Sequence, residues 1–188
     1  MQIFELKGEV RNNLGKKASK SLRTEKKVPC VLYGGEGNVH FSVVEKDLMK
    51  LLYTPVVYVV KIDLNGKTYN AVMREIQFHP VSDRVLHIDF YQIFEDKPVV
   101  MEVPVKLQGF AEGVQAGGKL VLVTRKLKVK AVPANLPGEI VVDVTTLGLG
   151  KSVKVKELSF ENFEVVNAKE VVVAQVKMTR AAKSAESK

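Results

Sequence analysis

The stretch Val56-Val-Tyr-Val-Val-Lys-Ile-Asp-Leu64, followed by Asn65-Gly66 and then Lys67 to Phe78, decides how the first half of the chain folds. Val56, Tyr58, Val60, Ile62 and Leu64 alternate with Val57, Val59, Lys61 and Asp63. That is the period of two expected of a strand with one face turned to a core. Asn-Gly between two such runs marks a two-residue hairpin, because both central positions of the favoured turn need a positive φ. Paired strands are therefore predicted over 56–64 and 67–78, with His79-Pro80 breaking the second.

Working outward, residues 2–10, Val31–Tyr33, Val39–Val44 and Val85–Phe94 read as further strands. Arg11-Asn12-Asn13-Leu14-Gly15 reads as a turn. Ala18–Lys27, free of Gly and Pro, reads as a short helix stopped by Pro29, and Glu45–Leu52 as a second. The pattern restarts at Glu95-Asp96-Lys97-Pro98, so a boundary is placed there: one domain over 1–95, a second over 96–178, and a polar, disordered tail over 179–188. The second half predicts strands over 99–108, 119–123, 126–132, 139–144, 152–156 and 171–178, the spacing of an all-β, sandwich-like domain. The fold class is mainly β.

Charge is unevenly placed. The chain of 188 residues carries 29 basic and 21 acidic side chains, a net +8. Residues 7–27 alone hold eight basic residues against Glu9 and Glu25, leaving only +2 for the remaining 167. Lys16, Lys20, Arg23 and Lys27 are spaced by 4, 3 and 4, which stacks them on one helix face. Like charges on one stripe repel unless an anion lies alongside. The stripe is either a solvated face or an electrostatic footprint, and the lack of carboxylates at i+4 favours the second. A lesser basic run, Lys126, Lys128 and Lys130 behind Arg125, shares one face of a predicted strand.

Residues able to carry reactive chemistry are few and scattered. The lone Cys30 sits in the apolar run Val28–Leu32 and reads as a small buried hydrophobe rather than a reactive thiol. His40, His79 and His87 are scattered, so no metal site is expected, and no cofactor. Gly148-Leu149-Gly150-Lys151-Ser152 has the end of a phosphate-binding loop, but Thr145 stands where its first glycine belongs and a strand follows. His87 and Asp89 share one strand face and could orient a general base, yet no marked nucleophile accompanies them and i, i+2 neighbours rarely pair unaided. They could equally be a structural pair or a face that reads bases. With no apolar run near the roughly 18 residues of a membrane span and no leader-like start, a soluble cytoplasmic protein is expected.

Several blocks resemble one family in order. Arg11-(x3)-Gly15-Lys16-Lys17-Ala18-Ser19-Lys20-Ser21-Leu22-Arg23 with Val28-Pro29-Cys30-Val31-Leu32-Tyr33-Gly34 resembles the opening signature of large ribosomal subunit protein twenty-five. Arg74-Glu75-Ile76-Gln77-Phe78-His79-Pro80 and His87-Ile88-Asp89-Phe90 resemble its second. Val103-Pro104-Val105, Gly109–Val114, Gly117-Gly118 and Val142-Asp143-Val144 resemble the extra domain of the long form, called Ctc or general stress proteins. The family often has Gly where Lys17 stands and Arg where Lys20 stands; Lys keeps the charge but not the planar fork.

The resemblance implies an N-terminal six-stranded β-barrel with short helices and a non-enzymatic role in the bacterial large subunit, within the central protuberance. It implies binding to the minor-groove side of an irregular 5S rRNA helix, loop E. Phosphate contacts are then expected from Arg11, Lys16, Lys20 and Arg23, with Ser19 as a neutral donor. Tyr33, Gln77, His87 and Asp89 are expected to supply the selective contacts. Against these stand plainer readings: Tyr33 at the barrel rim, Gln77 and His79 at a strand end. The second domain is expected to meet a neighbouring ribosomal protein or rRNA, and the protein to be a monomer off the ribosome. The rival class is a hydrolase of RNA or its adducts using His87 and Asp89.

Overall fold

The computed structural model describes residues 2–54 and 56–179. Contacts divide it into two compact units, with the break between Lys97 and Pro98.

The first unit contains strands β1 (Gln2–Val10), β2 (Lys27–Tyr33), β3 (Val39–Val44), β4 (Tyr58–Leu64), β5 (Lys67–Phe78) and β6 (Val85–Gln92), with helices α1 (Lys16–Thr24) and α2 (Glu45–Leu52). The strands close into a barrel in the order β1-β3-β2-β6-β5-β4. The β4–β5 hairpin forms in the expected register, Leu64 opposite Lys67. Asn65 and Gly66 have φ of 52° and 87°, which the primed turn requires. Closure depends on two parallel pairs, β1 with β4 and β2 with β6. Inside, Leu6, Val28, Cys30, Leu32, Phe41, Val43, Val60, Ile62, Ile88 and Phe90 are all at most 2% exposed. Their alternation with outward residues removes each strand's apolar set from water at roughly 25 cal/mol per Å².

Two local expectations change. The first helix covers Lys16–Thr24 rather than 18–27, because Lys26 takes φ 60° and turns the chain into β2. Pro29 lies inside β2 and does not merely precede it. Pairing with β6 starts only at Cys30, so a residue without an N–H is accommodated there.

The second unit has β7 (Val99–Gln108), a one-turn helix α3 (Glu112–Gln115), β8 (Lys119–Leu122), β9 (Lys126–Ala131), β10 (Ile140–Asp143), β11 (Ser152–Lys154), β12 (Glu164–Val165) and β13 (Val172–Lys177). They form a four-stranded sheet, β10-β7-β9-β12, and a three-stranded sheet, β11-β13-β8. Val99, Met101, Val103 and Val105 on β7 and Leu127, Val129 and Ala131 on β9 are buried at alternate positions. Thr179, placed by sequence in the polar tail, donates to the Gly117 carbonyl oxygen; the rest of that segment, 180–188, lies outside the described residues.

Candidate nucleic-acid interface

Strand β6 builds the centre of the site. Ile88 and Phe90 point into the core, so His87, Asp89 and Tyr91 are forced outward. The β5–β6 register sets Gln77 directly opposite His87, and the β2–β6 register sets Tyr33 opposite Tyr91. Cross-strand neighbours of this kind stand about 5 Å apart at Cβ. Gln77, His87, Asp89 and Tyr33 therefore emerge on one continuous outer face.

His87 and Asp89 pair directly, as one of the alternatives read from the sequence has it, although i, i+2 neighbours rarely do so unaided. The two meet at 2.8 Å, Nδ1 to Oδ1, with side chains 25% and 31% exposed. Nδ1 is the ring nitrogen nearer the backbone, so the short carboxylate reaches it along the strand. The bond orients the ring with Nε2 as its second hydrogen-bonding position, and Asp89 keeps Oδ2 as a further acceptor.

The tyrosines are also organised. Tyr33 and Tyr91 meet edge to face, with centroids 5.6 Å apart. The Arg74 guanidinium lies 5.4 Å from the centre of the Tyr91 ring, a cation–π contact. Gly34 makes this possible: its φ is 97°, and a Cβ there would sit 2.6 Å from the Tyr91 ring. Arg74 and Tyr91 were not singled out from the sequence; the even spacing His87, Asp89, Tyr91 was the available signal for the second.

Helix α1 places the basic residues differently from the single stripe its spacing predicts. Lys16, Lys17 and Lys20 are exposed, while Ser19 and Arg23 are partly buried. Arg23 Nε donates to the Leu86 carbonyl oxygen at 3.1 Å, fastening the helix beside the His87 end of β6. Lys27 leaves the stripe altogether: it belongs to β2 and pairs with Glu9 at 2.5 Å, which raises its pKa. Arg11 donates through Nη1 to Ser19 Oγ at 3.3 Å, and its backbone N–H donates to the His40 carbonyl oxygen. Burial lowers the Arg11 pKa, and its Nε is buried without a hydrogen-bond partner. Arg11 and Ser19 thus tie α1 to the barrel, with the exposed lysines projecting beyond them.

The thiol is not placed to react. Cys30 is fully buried, its Sγ donates to the Val28 carbonyl oxygen, and burial pushes its pKa up. A reactive thiol needs the reverse shift. Among the described residues no group of three or more His, Cys, Asp and Glu is placed to hold a metal ion, and no helix is long and apolar enough to cross a membrane. Gly148–Ser152 leads into the short strand β11, not the helix a phosphate-binding loop requires. In the second unit Lys126, Lys128 and Lys130 are exposed on one face of β9, with Glu102 opposite Lys128 and Glu164 opposite Lys130. These carboxylates offset much of that run's charge.

Fold and surface together define a two-unit β-protein whose first unit is a basic barrel with a polar outer face. The chain belongs to the ribosomal L25p family: the model of that name matches residues 6–90, and the model for the ribosomal protein TL5 C-terminal domain matches 98–180. It is 57% identical to large ribosomal subunit protein bL25 of Phocaeicola vulgatus, covering 98% of this chain and 97% of that one. The proteins of the same name from Bacteroides fragilis and Porphyromonas gingivalis are 54% and 51% identical, again over 98% of this chain and 97% of theirs.

Proposed function

We propose that the first unit holds 5S rRNA at its loop E region, within the central protuberance, while the chain serves as a structural, non-enzymatic protein of the bacterial large ribosomal subunit. One observation carries the RNA reading: Gln77, His87, Asp89 and Tyr33 emerge on a single outer face of β2, β5 and β6, beside the helix that projects Lys16 and Lys20. Lysines and arginines position a phosphate backbone, whereas a fixed carboxylate, imidazole and amide read base edges and 2′-hydroxyls. A wide, shallow minor groove lets side chains standing on a strand face reach base edges. Lys16, Lys20, Arg23 and Arg11 would meet phosphates, with Ser19 holding Arg11 and contributing its hydroxyl.

The test is binding of the full chain to 5S rRNA and to an unrelated duplex at one fixed salt concentration, together with co-sedimentation with large subunits. Preference for 5S rRNA and co-migration are expected. Equal affinity for both RNAs would overturn the reading.

A further inference from the structure

A cavity of about 200 Å³ lies at the His87 end of β6, between the end of α1, the start of β2 and the β5–β6 turn. Arg23, Lys27, Glu45, His79, Ser82 and Arg84 line it. We infer that this cavity seats one phosphodiester of the bound RNA backbone, held by Arg23, Arg84, His79 and Ser82. The inference rests on the RNA-binding reading above and adds to it a built anion site.

Each of the principal donors is anchored on one side and free on the other. Arg84 gives Nε and Nη2 to the two Glu45 oxygens, at 3.3 and 2.8 Å, and Nη2 also reaches the Arg23 carbonyl oxygen at 3.2 Å. Its Nη1 has no partner among the described residues. Arg23 is fixed through Nε to Leu86, which leaves both of its Nη groups. His79 Nδ1 accepts the backbone N–H groups of Val81 and Ser82, each at 3.3 Å. The neutral ring must then carry its proton on Nε2, a donor with no partner among the described residues. The Ser82 hydroxyl is likewise uncommitted. Donors whose geometry is already paid for in the free protein lose little freedom on binding.

The charge and shape select the ligand. Arg23, Lys27 and Arg84 face only Glu45 within the cavity. Lys27 is engaged by Glu9 and contributes field rather than a hydrogen bond. The two Nη groups of Arg23, Nη1 of Arg84, an imidazole N–H and a hydroxyl, arriving from separate elements, suit a tetrahedral oxyanion with several acceptors. A planar carboxylate would satisfy one fork and leave the rest. Leu86, which anchors Arg23, directly precedes His87, so a phosphate in the cavity would continue along the backbone of a strand whose bases meet the outer face.

The test uses the full chain and labelled 5S rRNA over a series of salt concentrations. Ser82→Glu puts a carboxylate into the seat from an exposed turn. Gln2→Glu makes the same charge change on β1, three strands from β6 in either direction around the closed barrel. Ser82→Glu is expected to lower 5S affinity about tenfold, the worth of one charge-assisted contact, and to flatten the salt dependence by about one phosphate. Gln2→Glu is expected to change affinity by less than about twofold, and both variants to melt as the parent does. Arg84→Lys, which keeps the charge but removes the free Nη1 donor, checks the result independently and is expected to weaken binding several-fold while melting as the parent does. Ser82→Glu and Gln2→Glu behaving alike, with Arg84→Lys unaffected, would overturn the seat and leave the RNA reading intact. A parent chain without preference for 5S rRNA would overturn that reading instead.

Discussion

Asp89→Asn separates recognition from scaffolding at the centre of the proposed interface. Asn keeps the shape of Asp and can still present a carbonyl oxygen to His87 Nδ1, so the 2.8 Å bond survives in kind. It replaces the second acceptor, Oδ2, with an amide donor and removes one negative charge. About a third of the Asp89 side chain is exposed, so solvent screening limits the stability cost to roughly 0.5 kcal/mol. For a domain of this size that moves the melting temperature by a few degrees at most. Against RNA the change is larger. A carboxylate accepting from a base amino group or 2′-hydroxyl is worth about 1.5–3 kcal/mol, so 5S affinity should fall by about tenfold or more. Binding to an unrelated duplex should hold or rise slightly, since a repelling charge is gone. Filter binding with both RNAs at one salt concentration, beside a thermal melt, reads both effects. A lower melting temperature with unaltered discrimination would refute the reasoning and leave the pair as scaffold. So would equal gains on both RNAs, the mark of a bare charge effect.

Arg23→Ala should weaken 5S binding by roughly 1–3 kcal/mol and flatten the log–log salt plot by about one phosphate; an unchanged slope would remove Arg23 from the interface. Residues 1–97 expressed alone should fold and bind 5S rRNA as the full chain does, checked by circular dichroism and filter binding; an unfolded or non-binding fragment would show that the second unit is required. Leu127→Ala, at a fully buried position of β9, should cost about 2–5 kcal/mol of stability in the second unit while leaving 5S affinity unchanged, as a melt and a titration would show. Gly34→Ala should lower the melting temperature by several degrees, because it sets a Cβ against the Tyr91 ring at a positive φ, and should weaken RNA binding by displacing Tyr33.

How much could be read in advance depended on whether the cause was local. The β4–β5 hairpin was legible because a period of two and an Asn-Gly turn are both contained in the segment itself. Barrel closure was not. The parallel pairs β1–β4 and β2–β6 join strands more than 50 residues apart, and no pattern within either strand announces its partner; the strand pattern suggests only a small barrel-like or strongly twisted sheet, and the family resemblance supplies the six-stranded barrel. Helix α1 was placed but misjudged in extent, since the left-handed turn at Lys26 is an unusual conformation for lysine. With it Lys27 moved from the basic stripe to a strand and a partner in Glu9. Strand β12, two residues long, is too short to show any period.

At the site, alternation along β6 was enough to put His87 and Asp89 on one face. Their direct bond depends on side-chain reach that spacing alone does not express. Gln77 meets His87 through the register of the β5–β6 pair, which a reader of the sequence could only approximate across the 79–84 turn. The Arg84–Glu45 pair and the Arg23–Leu86 bond span 39 and 63 residues and leave no trace in sequence. They fasten α1 and the turn around the cavity, so the most built part of the surface was the least visible beforehand.

The central claim is tested most directly by titrating the full chain with two forms of 5S rRNA, one intact and one with loop E replaced by a regular duplex of equal length, at the same salt concentration. The expected result is strong preference for the intact form, reduced toward the duplex value by Asp89→Asn. Equal affinity for the two forms would contradict it.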